Sequence, residues 1–376
     1  MNPRHLTAAM AVVAIYLPIQ SAIGTSLIPG ISGRIRPSTS GSLDGQATVE
    51  QLIQAGHPDP ASEGFPAITP DSPSNRVDPN TTTSPFAGVG SIFIDPDPDV
   101  PGGFICTGTP ISPWEVVTAG HCLDVVDGDG KPDVAPQNVQ FVLNYGSDLS
   151  HIIPAVNLFS HPDYTGFGNP SINDDVAVIR LSQPLPAGVP IYKMVDPNWL
   201  GVAPIVLAGY GTSGDGANGY YVNPSFRVKR TGANLVEYAE TDDEGGAQVE
   251  LVAWDFEFEG DPFRYDYFGI PFSFPNDVES TLGGGDSGGP GFMFNPFDPT
   301  DNSLYLATVN TFSFWDTSAG PDHDEPGKFG AGSGGMWLGA EYQQWITSVP
   351  ETSTWFAGLT LGGLALASMR KLRRRG

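Results

Sequence analysis

The chain is predicted to be an all-β protein built as an antiparallel barrel or sandwich. Short apolar, β-branched runs recur from Phe86 onward between turn-forming residues. The composition carries 47 Gly, 36 Pro and 11% aromatic residues, which suits short strands joined by turns and not long helices. Only one stretch reads as a helix. At 376 residues the length permits two average domains, although all-β barrels also fill more than 200 residues as one unit.

In chain order, the runs at 89–94, 115–118, 140–144, 176–181, 204–208, 248–254 and 304–309 have the length and branching of strands. Residues 340–346 form the expected helix, at the end of this region. No repeat of fixed period interrupts the series. The 42 acidic against 17 basic side chains give a formal charge of −25, which keeps a surface soluble and repels polyanions, so no nucleic-acid partner is expected. Two cysteines, Cys106 and Cys122, are too few for a disulfide-dense scaffold or a four-thiolate metal site. In an exported chain they read as one bridge.

The two ends read as addresses. Arg4 and His5, an apolar run over 6–17 and the small residues Ser21, Ala22 and Gly24 have the order of a secretory signal peptide covering residues 1–24. Residues 25–76 are rich in Pro, Ser, Gly and Thr and read as a propeptide or linker. The segment 77–347 holds the strand pattern, and 348–376 forms a sorting or membrane-anchor tail. In that tail Pro350-Glu351-Thr352 precedes an apolar stretch over 355–369 and the basic cluster Arg370, Lys371, Arg373, Arg374 and Arg375. Fifteen helical residues at ~1.5 Å each reach about 22 Å, short of a ~30 Å hydrocarbon core without flanking residues. The tail resembles a PEP-CTERM sorting signal, with Thr352 in place of the second proline. That resemblance implies an exosortase-like sorting enzyme as a partner and membrane contact through the tail; a plain single-pass anchor is the other reading. Together the ends place the protein outside the cytoplasm, in the periplasm, on the cell surface or beyond it.

Three segments carry chemistry, in the order His, Asp, Ser. They are Thr118-Ala119-Gly120-His121-Cys122, Asn173-Asp174-Asp175-Val176-Ala177-Val178, and Gly283-Gly284-Gly285-Asp286-Ser287-Gly288-Gly289-Pro290. A serine hydroxyl is a weak nucleophile until an imidazole takes its proton, and a buried carboxylate fixes that imidazole's tautomer. The flanking glycines allow close backbone approach to a developing oxyanion. Gly285-Asp286-Ser287-Gly288-Gly289 also fits the Gly-x-Ser-x-Gly elbow of α/β-hydrolases. In that fold, however, the acid and the histidine follow the serine, and here the only later histidine is His323, in an acidic Pro/Gly-rich stretch.

From about 86 to 346 these segments resemble the trypsin/chymotrypsin serine proteases. The histidine and serine motifs match most specifically. His161-Pro162-Asp163-Tyr164, Gly209-Tyr210-Gly211 and Gly335-Met336-Trp337 leading to Tyr342 and Trp345 are similar to supporting motifs of the family. The resemblance implies a double six-stranded antiparallel β-barrel with a short C-terminal helix, and a secreted endopeptidase acting on protein or peptide substrates. His121 becomes the general base and acid, Asp175 its orienting carboxylate, Ser287 the nucleophile, and the amides of Gly285 and Ser287 the oxyanion hole. Asp175 is preferred to Asp174 because it directly precedes the apolar strand. Cys106 and Cys122 match the family bridge beside the histidine, while Gly283 stands where the family has another cysteine.

The resemblance also implies that Asp286 pairs with a new N-terminal ammonium, for which Arg76-Val77 is the candidate cleavage site and Val77 the new terminus. Thr281 falls at the base of the primary specificity pocket, so no carboxylate is expected there for a substrate Lys or Arg. Asp127-Gly128-Asp129-Gly130-Lys131-Pro132-Asp133 alternates oxygen ligands like the start of a calcium loop, with Asn138 where a bidentate acid would close it. A solvated turn is the other reading of that loop. No cofactor is required by the chemistry, calcium is the one ion the sequence suggests, and histidine spacing gives zinc no support. A rival from a different class is a non-catalytic envelope protein that uses the same barrel for binding.

Overall fold

The computed structural model describes residues 71–349 except 100–101, 168–171, 202–203, 316–322 and 324, together with two short strand pieces at 36–37 and 41–42. The signal peptide, most of the linker, and the tail beyond 349 lie outside the described residues. No helix among the described residues is long and apolar enough to cross a membrane.

The first barrel uses six strands: β1 Gly90–Ile94, β2 Phe104–Pro110, β3 Glu115–Thr118, β4 Val139–Tyr145, β5 Asp148–Ser160 and β6 Ala177–Leu181. The order is β2-β1-β4-β5-β6-β3, and an antiparallel β2–β3 pairing closes it. Strand β5 pairs with β4 through its first half and with β6 through its second. A register shift between Ala155 and Asn157 lets it turn that corner, since an extra residue bends a strand and re-aims its side chains. Ile92, Val116, Phe141, Val142, Val178 and Ile179 on these strands are all fully buried.

The second barrel contains β7 Ile205–Gly209, β8 Arg230–Asn234, β9 Tyr238–Thr241, β10 Val249–Asp255, β11 Pro290–Met293, β12 Tyr305–Phe314 and β13 Gly332–Trp337. They run β8-β7-β11-β12-β13-β10-β9. Only residues 235–237 separate β8 from β9, so the two act as one bent strand that reaches both β7 and β10 and closes a second six-stranded barrel. Its core is built on Trp254, Trp337, Val252 and Ala307. This double antiparallel barrel is the chymotrypsin-like fold. Helix α1, Pro262–Tyr265, is a single turn, and α2, Ala340–Ser348, is the expected C-terminal helix.

Several strands lie outside the apolar-run pattern for local reasons. Strand β5 carries Pro154, which removes a ladder donor and argues against a strand when seen in isolation. Strand β13 has the turn-like sequence Gly-Ser-Gly-Gly-Met-Trp. Its glycines answer to tertiary contact: a Cβ on Gly332 or Gly334 would stand 2.2 Å from the Cζ of Phe314 or Phe312 on the neighbouring strand. The end of the predicted linker is also ordered. Residues Pro73–Arg76 form a 3₁₀ turn against the second barrel, and the buried Arg76 guanidinium donates to the carbonyls of Asn276, Val278 and Glu279.

Candidate active site

His121, Asp175 and Ser287 meet at the seam between the barrels. His121 lies in the 3₁₀ turn Gly120–Cys122 directly after β3, and Asp175 lies two residues before β6, which pairs with β3. Both side chains are thus set by one strand pair of the first barrel. Ser287 comes from the turn entering β11 of the second. The imidazole Nδ1 is 2.6 Å from Asp175 Oδ2, and Nε2 is 2.8 Å from Ser287 Oγ. The backbone N–H of His121 donates to Asp175 Oδ1 at 2.8 Å, so one carboxylate holds both the ring and its main chain. Asp175 and Ser287 are fully buried and His121 nearly so. The Phe167 ring stands edge-to-face with the imidazole, ring centroids 5.7 Å apart. A side chain at position 120 would crowd this carboxylate, since a Cβ there would stand 3.1 Å from Asp175 Oδ1.

The Cys106–Cys122 disulfide ties β2 to the histidine turn, with Cα atoms 6.4 Å apart. Beside it, Thr107 joins the barrels: its N–H donates to the Ser287 carbonyl and its hydroxyl to the Gly285 carbonyl, both at 2.8 Å. The peptides that carry the Gly285 and Ser287 amides are fixed from their opposite ends. The Gly284 carbonyl accepts from Thr212 N–H at 2.8 Å, and the Asp286 carbonyl accepts from Gly289 N–H at 2.9 Å. Because a trans peptide points its N–H opposite its C=O, anchoring these carbonyls fixes where the two amides aim. Gly285 and Gly288 adopt φ of +102° and +77°, a region that side chains disfavour.

The carboxylate of Asp286 accepts from the amides of Gly211, at 2.8 Å, and Gly283, at 2.9 Å. Burial raises its pKa to about 6, against the pull of those two amides and of Arg230. A cavity of about 70 Å³ adjoins it, lined among others by Arg76, Tyr220, Arg230 and Thr281.

The Trypsin family model matches residues 92–248. That span is less than half of the chain; it contains His121 and Asp175 and ends before Ser287. The matched region is similar to the trypsin/chymotrypsin-like serine proteases, which supports a serine-type peptidase in general and protein or peptide substrates. No curated protein matches the chain.

The remaining sequence candidates fall as follows. Thr281 hydrogen-bonds Ser333, a buried hydroxyl on β13. Val77 forms a bridge with Arg230, next to Asp78, whose carboxylate makes a fully buried ion pair with Lys229 at 3.1 Å. Asp286 is therefore held by backbone amides, and Val77 by the β8 backbone. In the 127–133 loop, Asp129 pairs with Lys131 Nζ at 2.8 Å, while Asp133 accepts from the amides of Val125, Val126 and Asp127. Asp124, not singled out in the sequence, accepts from Gly128 and Gly130 and gathers with Asp127 and Asp133 in place of Asp129.

Sequence reading also missed Thr107, Thr212 and Phe167, which have no motif of their own. The Asp174-Asp175 doublet separates cleanly. Asp174 turns away from His121 to His161 Nδ1, 3.1 Å from its Oδ1, and accepts from the Tyr342 hydroxyl at 3.1 Å. Its φ of +59° produces that turn.

Proposed function

We propose that the chain is an exported serine endopeptidase in which His121, Asp175 and Ser287 form the catalytic triad. The observation that carries this reading is the continuous hydrogen-bonded line from Asp175 Oδ2 through both imidazole nitrogens to Ser287 Oγ, with contacts of 2.6 and 2.8 Å. As Oγ attacks a scissile carbonyl, Nε2 takes its proton, and Asp175 stabilises the imidazolium and holds the Nδ1–H tautomer. The carbonyl oxygen becomes an anion facing the Gly285 and Ser287 amides, whose peptides are already pinned, so little reorganisation accompanies the charge. Losing one such donor typically costs ~2.7–4 kcal/mol of transition-state stabilisation. The imidazolium then protonates the leaving amine, the acyl-enzyme forms on Oγ, and a water activated by the same imidazole releases the acid.

With Thr281 hydrogen-bonded to Ser333 at the pocket base, the preferred substrate side chains at the cleaved bond are neutral. Activation runs through cleavage at Arg76-Val77. That step requires Arg76 to leave its carbonyl cage and brings a Val77 ammonium toward Asp286. Export follows from the signal-like residues 1–24, and sorting or anchoring from the tail at 348–376.

A fluorophosphonate probe tests the reading on the mature protein. Labelling should be present in the parent and absent in Ser287→Ala. A correctly folded parent that takes no label, before or after cleavage at Arg76-Val77, would instead support a binding protein on the same barrel.

A further inference from the structure

Directly behind the triad, the turn that presents Asp175 faces the β9–β10 hairpin of the second barrel. Carboxylate oxygens from Asp174, Asp243, Glu244 and Glu250 all lie within 4.8 Å of one another. Asp174 belongs to the first barrel, and the other three to the second. Among the described residues, the only basic side chain paired with any of the four is His161, on Asp174. Four ionised carboxylates held this close repel one another, and either protonation or a cation between them relieves the repulsion.

Glu250 supplies a second and separate sign of a ligand. It is 3% exposed, yet its Oε2 is buried with no hydrogen-bond partner. The strand places it there through a bulge: Thr241 pairs with Val249 and Glu240 with Leu251, leaving Glu250 as the extra residue that points out of the ladder. A buried carboxylate without a donor is costly, and an oxygen so placed is suited to a metal.

We propose that Asp174, Asp243, Glu244 and Glu250 bind one calcium ion that staples the Asp175 turn to the second barrel. Calcium takes oxygen ligands at ~2.3–2.6 Å, so oxygens on opposite sides of an ion stand about 4.6–5.2 Å apart. The observed spread fits inside one such shell. The donors are all carboxylates, with no thiolate, which selects a hard cation. Asp243 and Glu244 are exposed, so the rim admits the ion and leaves room for the waters that complete six to eight ligands. Glu250 is shared with a second group, formed with Asp242 and Glu341; the two remaining acidic groups differ. In the 124–133 loop both oxygens of Asp124 and both of Asp133 already accept backbone amides. In the group Glu237, Asp255 and Glu257, the last two are fully buried and only Glu237 is partly exposed.

Binding does not depend on the peptidase reading, and its test reads the ion directly. The full chain, stripped with EDTA, is titrated with terbium under excitation of the aromatic side chains. Trp345 and Tyr342 pack on His161 at 5.0 and 5.1 Å, close enough to Asp174 to sensitise the lanthanide. Saturable emission at one ion per chain is expected, displaced by calcium, with a calcium-dependent rise in melting temperature of several degrees. Both effects should vanish in Glu250→Gln and in Asp243→Asn and persist in Asp133→Asn and Glu257→Gln. Asp243 is exposed, so its variant remains informative if the Glu250 change impairs folding. The proposal is overturned if calcium neither displaces terbium nor shifts melting, or if the signal is lost in Asp133→Asn and kept in Asp243→Asn. Fluorophosphonate labelling of the same samples reports the peptidase reading separately.

Discussion

Replacing Asp175 with asparagine should remove nearly all hydrolytic activity while leaving the fold in place. Asp175 now accepts two hydrogen bonds, from the His121 backbone N–H at 2.8 Å and from ring Nδ1 at 2.6 Å. Asparagine has one acceptor oxygen for these two donors. With that oxygen on the backbone N–H, its NH₂ faces Nδ1, so Nδ1 becomes the acceptor and the ring proton moves to Nε2, facing Ser287. The base is then blocked at the atom that must take the proton.

The flipped amide would set NH₂ against a buried backbone N–H, an unsatisfied donor costing ~1–3 kcal/mol, so flipping offers no escape. A wrong tautomer in a triad typically lowers kcat by ~10⁴-fold, or ~5.4 kcal/mol at 1.36 kcal/mol per decade. Stopped-flow release of p-nitrophenol from an acyl ester, with the rate of fluorophosphonate labelling, measures this loss, and circular dichroism checks the fold. A folded Asp175→Asn protein that keeps a tenth or more of the parent rate would refute the assignment.

Three further outcomes are expected. Removing the bridge with Cys106→Ala plus Cys122→Ala should lower unfolding free energy by ~3 kcal/mol, from the loop entropy of a sixteen-residue separation, as read by urea denaturation. An unchanged midpoint would contradict it. Gly288→Ala should abolish probe labelling and soluble yield together, because the new Cβ would meet Thr118 Oγ1 at 1.9 Å and the Thr107 carbonyl at 2.5 Å in a backbone region unfit for side chains. Normal labelling of that variant would show that the turn is not as described.

In EDTA, stability should decline as pH rises from about 4 toward 8. Burial raises Asp255 and Asp286 to about 6 and Glu257 to about 10, so the folded state keeps protons that the unfolded chain has already released. Where the native state binds more protons, unfolding free energy falls with rising pH. A urea midpoint that climbs between pH 5 and pH 8 would show that other groups dominate.

The strand runs at 115–118, 140–144 and 176–181 were readable because their apolar side chains face a core on a period set by the backbone. Strand β5 was not, and β13 was legible only through its likeness to a closing strand, since Pro154 and the glycines at 332 and 334 gain their meaning from a bent ladder and from the rings of Phe312 and Phe314. His121 and Ser287 stood out because their neighbours serve chemistry directly. Thr107 and Thr212 were invisible, because any strand or loop may carry a threonine, and their value lies in which distant carbonyl they reach.

The sequence by itself determined the all-β class, the pair of cysteines that bond, and the three segments able to supply nucleophile, base and carboxylate, since these depend on residue type and short spacing. The tertiary structure decided which member of the Asp174-Asp175 doublet meets His121 and which joins three acids of the other barrel. It also decided how the Gly285 and Ser287 amides are aimed. Those outcomes depend on the orientation of single peptides and on contacts between residues more than fifty positions apart, where differences of an ångström count and no local pattern records them.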